Sequence, residues 1–141
     1  MKAVQIEIVP SDGSGTYDVA AHILMSYTER LRGLLGTKAD SSAVLIMRCS
    51  SIHTYGMTYP IDVAFLDIHG NVLKVLHALT PGKVCTTHGA RAVMERPASV
   101  QPWPHVDDSV RVPTGHMNSF HMRSRHRRQM RVLYERRWQL W

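Results

Sequence analysis

The sequence is poor in cysteine and in aromatic residues, and it has no long hydrophobic run. Its two cysteines, Cys49 and Cys85, allow at most one disulfide, and without a secretory signal we expect two reduced thiols. The longest apolar runs are a few residues, far short of the ~20 that a transmembrane helix needs. The N-terminal residues alternate polar and apolar side chains, whereas a signal peptide joins a basic start to an apolar block. We therefore expect a cytoplasmic protein without a transmembrane segment.

The remaining composition is that of one globular domain. Hydrophobic residues make up 44% of the 141 residues and charged residues 20%, which argues against a wholly disordered or fibrous chain. A chain of this length buries roughly two thirds of its unfolded surface. We therefore expect a single core.

The net charge of +6 comes entirely from the C-terminal segment. Residues 1–113 hold ten Lys/Arg and ten acidic residues, whereas residues 114–141 hold seven arginines against Glu135 alone. We divide the chain into a domain, 1–113, and a basic tail, 114–141, which is either disordered or an amphipathic helix. Contact with a polyanion or a membrane belongs to this tail, unless it folds back over its own domain or is a dispensable extension. The expected contacts are Arg123, Arg125, Arg127, Arg128 and Arg131.

Hydrophobic patterning predicts a mainly β fold. Alternation at residues 4–8, a turn rich in Ser and Gly, and a second arm at 17–24 are typical of a hairpin. The apolar runs 43–47 and 63–66 predict buried strands, and the turn 67–71 leads into a strand at 72–76. Two later segments, 90–95 and 110–112, complete the predicted strands.

One short helix is predicted over residues 27–35. Ser26 and Glu29 have the spacing of a capping box, and Leu31, Leu34 and Leu35 fall on one helical face. We expect a β-rich α+β domain, mainly β in content: a small antiparallel sandwich or partly open barrel with this helix packed on it.

Two segments together are distinctive, RLRGLLG at 30–36 and IHTYGMTYPIDVAFLD at 52–67. They resemble domain of unknown function family 192, a small bacterial and archaeal family that joins an arginine and Gly-Leu-Leu/Met block to a Met-x-x-Pro-Ile/Leu-Asp block. The resemblance covers about residues 18–112. It implies a small β-rich fold and brings no agreed activity.

Three positions match the polar residues of that pattern: Arg32, Asp62 and Glu95. The family block Glu-Leu-Pro-Ala-Gly reads Glu95 to Ser99 here, without its leucine and its glycine. Asp107 likewise stands where the family tends to have glycine.

The candidate site is built around Asp62, which lies between Ile61 and Val63, where an unpaired carboxylate would be costly. Arg32 is the expected partner because a guanidinium can donate two hydrogen bonds to a carboxylate. One interpretation is a buried structural pair that docks the helix on the sheet. The other is a pocket for a small anionic or sugar-like ligand. Its expected ligand-binding residues are Arg32, His53, Thr54, Tyr55, Met57, Asp62 and Glu95.

A zinc site could be drawn from Cys49, His53, Cys85 and His88, which are suitable ligand types. The spacing is not that of the usual structural zinc sites, in which ligands pair as Cys-x2-Cys or His-x3-His. We therefore expect no metal and no other cofactor.

A catalytic site could be drawn from Cys49 or Ser50 with His53 and Asp62. No Gly-x-Ser-x-Gly elbow or phosphate-binding glycine loop supports it, so we assign no catalytic residue. The leading hypothesis is a non-enzymatic small-ligand-binding or accessory domain. Two alternatives remain: a small hydrolase or lyase that uses His53 and Asp62, and a nucleic-acid or membrane adaptor that acts through the basic tail.

Overall fold

A computed structural model describes residues 3–25, 33–38 and 42–113 of the chain. These ranges contain nine β-strands and no helix. The predicted helix is not seen: residues 33–36 form a turn, and residues 27–32 lie outside the described ranges. Gly33 and Gly36 adopt φ angles of +48° and +77°, which an α-helix does not accommodate. The strands are β1 (Val4–Val9), β2 (Tyr17–Leu24), β3 (Ala43–Met47), β4 (Ser51–His53), β5 (Ile61–Leu66), β6 (Val72–Leu79), β7 (Val84–Thr86), β8 (Ala92–Pro97) and β9 (Ser109–Arg111).

Seven strands form one sheet in the order β6-β5-β8-β3-β2-β1-β9, and β4 pairs with β7 in a separate ribbon. Neighbouring strands are antiparallel except β2 and β3, which run parallel with Ala21 opposite Ala43. The expectation of an antiparallel sheet is therefore wrong for this pair.

The sheet curls into a half-barrel because its two ends meet at one corner. Asn71, just before β6, pairs with Ser109 of β9, and the Val72 N–H donates to the Asp108 carbonyl over 2.9 Å. Gly70 is tightly enclosed there, since a Cβ atom at this position would lie 2.5 Å from the Val110 carbonyl oxygen. Of the two architectures expected, the partly open barrel is the one observed.

Each face of the sheet carries its own hydrophobic core. Strands β3, β5 and β8 are buried along their whole length, which explains why their apolar runs do not alternate. The inner core joins residues from both ends of the sheet and therefore fills the inside of the curl; it includes Ile6, Leu45, Ala64, Met94 and Val110. The outer core covers the other face and includes Leu34, Val44, Ile46, Ile52 and Val63.

Some of the predicted features lie outside the described ranges. They are Arg32 and the whole basic tail, 114–141, with the arginines expected to contact polyanions. In the part of the chain that the structure describes, no helix has the length and apolar character that spanning a membrane requires.

Candidate functional site

A cavity of about 240 Å³ opens on the outer-core side of the sheet. It lies between the 33–36 turn, strands β3 and β8, and the β4–β7 ribbon with the loop that follows β4. Apolar side chains supply much of its wall: Leu34, Leu35, Ile46, Ile52, Met57 and Ile61. Polar and ionisable residues also line it: Arg48, Cys49, Ser51, His53, Tyr55 and Glu95.

Glu95 is the buried carboxyl group of this cavity. Its neighbours in register are Val44 of β3 and Val63 of β5, both in the outer core, so strand alternation turns Glu95 to the same face. The residue is 5% exposed. Burial raises the pKa of Glu95 from 4.5 to about 7, and a hydrogen bond from the Leu34 backbone offsets a smaller part of this effect. The group thus changes charge near neutral pH.

The 33–36 turn brings the backbone of the Gly-Leu-Leu segment onto Glu95. A Cβ atom on Gly33 would lie 3.2 Å from Oε2 of Glu95 and 3.4 Å from Ile46, so glycine permits this close approach. The Thr37 hydroxyl, which contacts the Tyr59 hydroxyl, donates to the Leu34 carbonyl over 2.6 Å and fixes the end of the turn. The turn therefore forms one wall of the cavity.

The opposite wall is held by Thr54, which is fully buried. Its hydroxyl donates to the Thr80 carbonyl and accepts from the Lys83 N–H, both at 2.8 Å. These bonds fix the chain at the end of β4, so that His53 and Tyr55 come to the cavity with ring centroids 5.9 Å apart. Thr54 is thus a support of the site and not one of its lining residues.

Asp62 faces the opposite side of the sheet from the cavity. It lies opposite Arg96 in register, and its Oδ2 accepts from Arg96 Nε at 2.9 Å. The other oxygen, Oδ1, accepts from the Ala78 N–H at 3.0 Å. Arg96 is the buried ion partner that the structure shows for Asp62, and the exposed His77 lies 3.7 Å from Oδ1; the sequence predicted Arg32, which lies outside the described ranges. This corrects the single pocket expected around Asp62 and His53: the buried ion pair is a separate structural unit.

The same geometry bears on the catalytic and metal hypotheses. His53 lines the cavity and Asp62 does not, so the structure does not assemble the His53–Asp62 pair that a hydrolase or lyase would use. Cys49 donates to the Ser51 carbonyl over 3.1 Å, and neither cysteine is in a disulfide. Among the described residues, no cluster of three His, Cys, Asp or Glu side chains is placed to hold a metal ion.

Of the seven residues expected to bind a ligand, four line the cavity: His53, Tyr55, Met57 and Glu95. Sequence reasoning missed Arg96 as the partner of Asp62, although its place on β8 follows once the β5–β8 register is known. It also missed Gly33 and Leu34 as a wall of the site. The available signal was the pair of glycines in RLRGLLG, which are typical of a turn with positive φ.

Comparisons with known proteins bear mainly on the fold. The family model DUF192 (Uncharacterized ACR) matches residues 8–103. No curated protein matches the chain. A candidate transcription regulator from Sinorhizobium meliloti 1021 has a similar structure, with a TM-score of 0.64 and 16% identity over 78% of this chain and 93% of that chain. A protein of unknown function from Novosphingobium aromaticivorans DSM 12444 has a TM-score of 0.61 and 15% identity over 77% and 84% of the two chains. Identities this low show a shared fold alone.

Proposed function

The chain belongs to DUF192, and because this family brings no established activity, we propose a function from the geometry of the cavity: the protein binds a small ligand beside Glu95. The observation that carries the proposal is a carboxyl group, 5% exposed, in the wall of an otherwise largely apolar cavity. Ligand sites commonly combine an apolar wall with a few convergent polar groups. A titratable group with a perturbed pKa in such a cavity is a further mark of a functional site.

The architecture around the cavity supports binding by a preformed site. Gly33 and Thr37 fix the turn on one side, and Thr54 fixes the ribbon on the other. A wall that is already ordered loses little conformational entropy when a ligand binds. We therefore favour a binding or accessory module over an enzyme, and we assign contact roles to His53, Tyr55, Met57 and Glu95; Arg32 lies outside the described residues and is given no role.

The test is a small-fragment screen by two-dimensional NMR on the 15N-labelled full chain. We expect shift changes that saturate and that cluster at residues 33–36 and 46–57. Tyr55→Ala should weaken the best fragment severalfold, since Tyr55 is 57% exposed at the cavity and its loss should leave the fold intact. Val106→Ala is the matched control because Val106 is 50% exposed and does not line the cavity. Saturating shifts confined to other surfaces, or no binding at all, would contradict the proposal.

Charge segregation in the sequence favours a second function for the basic tail. We propose that residues 114–141, with seven arginines and one acidic residue, bind a polyanion or an anionic membrane surface. Such binding weakens steeply with salt. Retention of the full chain on heparin should exceed that of a chain ending at Pro113, and equal elution of the two would contradict the proposal. Replacing Arg123, Arg125, Arg127, Arg128 and Arg131 with Gln should reproduce the truncation.

A further inference from the structure

We propose that the ligand of the cavity is a small monoamine with an apolar body, whose ammonium group pairs with the Glu95 carboxylate. This inference rests on the proposed binding function and deepens it by naming the ligand class. It starts from the position of Glu95, which lies in register between Val44 and Val63 on the outer-core face.

The wall around Glu95 favours a cation over an anion or a purely apolar ligand. A buried carboxylate is stabilised by an opposite charge and by hydrogen bonds to its oxygens. The Leu34 backbone N–H supplies one neutral donor, which compensates a full negative charge only in part. An alkylammonium ion brings the opposite charge and three N–H donors in one group.

The volume of the cavity limits the size of the ligand. The cavity has a volume of about 240 Å³, just below the ~300–1,000 Å³ of pockets that hold drug-sized ligands. A small molecule is therefore the ligand size that it suits. The side chains of Leu34, Ile46 and Ile52 would contact the carbon atoms of the ligand, because these residues offer no hydrogen-bonding group.

The other charged and titratable groups that line the cavity decide whether a monoamine or a diamine is the better ligand. In the described part of the chain these lining groups are Arg48, Cys49, His53 and Tyr55; His22 lies on the same face, beyond Val44 in the same row of the sheet. Arg48 is exposed and carries a fixed positive charge. Glu95 is the one carboxyl group among the described lining residues, so a second ammonium at the far end of the ligand would find no counter-charge there and a monoamine is preferred to a diamine.

The ionisation of Glu95 makes amine binding depend on pH. Burial raises the pKa of Glu95 to about 7, whereas alkyl ammonium groups resemble the Lys side chain, with a pKa near ~10.4. Below about pH 7 the free protein holds Glu95 in its protonated form, so Glu95 must first lose this proton to pair with an ammonium group. Linkage then predicts an affinity about tenfold lower at pH 6 than at pH 8 for an amine.

The experiment compares four compounds of similar length on the full chain by titration calorimetry and NMR at pH 6 and pH 8. They are hexylamine, hexan-1-ol, heptanoate and 1,6-diaminohexane. At pH 8 we expect hexylamine to bind at least tenfold tighter than hexan-1-ol, with the diamine and heptanoate weaker than hexylamine. Only amine binding should weaken by about tenfold at pH 6.

Variants assign the effect to Glu95. Glu95→Gln keeps the size of the side chain and should reduce hexylamine affinity at least tenfold and abolish its pH dependence. Glu7→Gln is the matched control because Glu7 lies on β1, outside the cavity, and pairs with Arg111; its hexylamine affinity should equal that of the wild type. The compound series on the wild-type chain decides the question even if Glu95→Gln does not fold.

The failures of the two proposals differ. If hexan-1-ol or heptanoate binds in the cavity more tightly than hexylamine at pH 8, the amine assignment is overturned while the binding function stands. Equal binding of hexylamine by wild type and Glu95→Gln overturns the assignment as well. If neither these compounds nor any screened fragment occupies the cavity, both proposals fail.

Discussion

Arg96 donates from Nε to Oδ2 of Asp62 over 2.9 Å, and both residues are buried. The remaining guanidinium nitrogens donate to the carbonyls of Pro102 and Gln101 at 2.9 and 2.7 Å, and the group stacks 4.5 Å from the ring centre of Trp103. The Arg96 guanidinium thus pairs with the Asp62 carboxylate on β5 and also holds the loop that follows β8 through hydrogen bonds.

Asp62→Asn should lower the free energy of unfolding by about 3–5 kcal/mol, because it leaves the buried Arg96 without its counter-charge. Urea denaturation of purified variants measures this loss. Glu7→Gln is the control, since it breaks the partly exposed pair with Arg111 at 3.4 Å, for which less than about 1 kcal/mol is expected. Equal losses in the two variants would show that the Asp62–Arg96 pair is not a structural centre.

Gly70→Ala should be far more destabilising than Gly82→Ala. The two glycines have nearly the same φ, +80° and +82°, so both variants incur a similar strain of about 1–2 kcal/mol. Only Gly70 lacks room, because its Cβ would lie 2.5 Å from the Val110 carbonyl oxygen, whereas nothing lies within 4 Å at Gly82. We expect at least a further ~1–3 kcal/mol for Gly70→Ala. Thermal melting of both variants checks this, and similar melting temperatures would argue against the closed corner of the half-barrel.

Glu95 should make the protein less stable as the pH rises from 4.5 to about 7. The pKa of Glu95 is raised from 4.5 to about 7 by burial, so in this range the folded state binds more protons than the unfolded chain. The contribution of Glu95 to the free energy of unfolding is therefore fully present below pH 4.5 and is lost as the pH rises through 7. The loss is about 3 kcal/mol in all. Denaturant titrations of wild type and Glu95→Gln at pH 5 to 8 measure it. A stability difference that is constant over this range would refute the raised pKa.

Thr54→Val should cost about 1–3 kcal/mol, because it removes the hydrogen-bond partner of the Thr80 carbonyl and of the Lys83 N–H at partly buried positions. It should also weaken any ligand of the cavity, since Thr54 fixes the ribbon that carries His53. Thr86→Val is the control: the Thr86 hydroxyl bonds to that of Ser51 at an exposed position, and a change within about 0.5 kcal/mol is expected. The measurement is chemical denaturation, followed by titration of the best cavity fragment.

Much of the strand pattern could be predicted because it follows from local rules. The alternation at residues 4–8 predicts β1, and its pairing with β2 is confirmed with Ile6 opposite Val19. The turn chemistry at Asp67 predicts the β5–β6 hairpin, and Asp67 Oδ1 accepts from the His69 and Asn71 N–H groups at 2.8 and 2.9 Å. Asp107 has a φ of +73°, a conformation that favours the glycine that the resemblance implies at this position.

The missed features depend on distant parts of the chain. The three-residue strands β4 and β7 are too short for any periodicity, and they form because Thr54 anchors them across 29 residues. Leucines at 31, 34 and 35 fit a helical face, but Gly33 takes a backbone that ends any helix at that point. Leu34 is instead buried in the outer core beside Glu95.

The sequence by itself determined most of the longer strands, the fully buried segments and the buried carboxylate that needs a partner, since period, turn chemistry and the cost of an unpaired buried charge are properties of a few neighbouring residues. Only the tertiary structure decided that Asp62 and Glu95 serve opposite faces of one sheet. Successive residues of a strand face opposite sides of the sheet, and Asp62 pairs with Arg96 while Val63 pairs with Glu95. A shift of β8 by one residue against β5 would therefore turn Glu95 away from the cavity and Arg96 away from Asp62. That register is set by packing across the whole half-barrel, which no local pattern encodes.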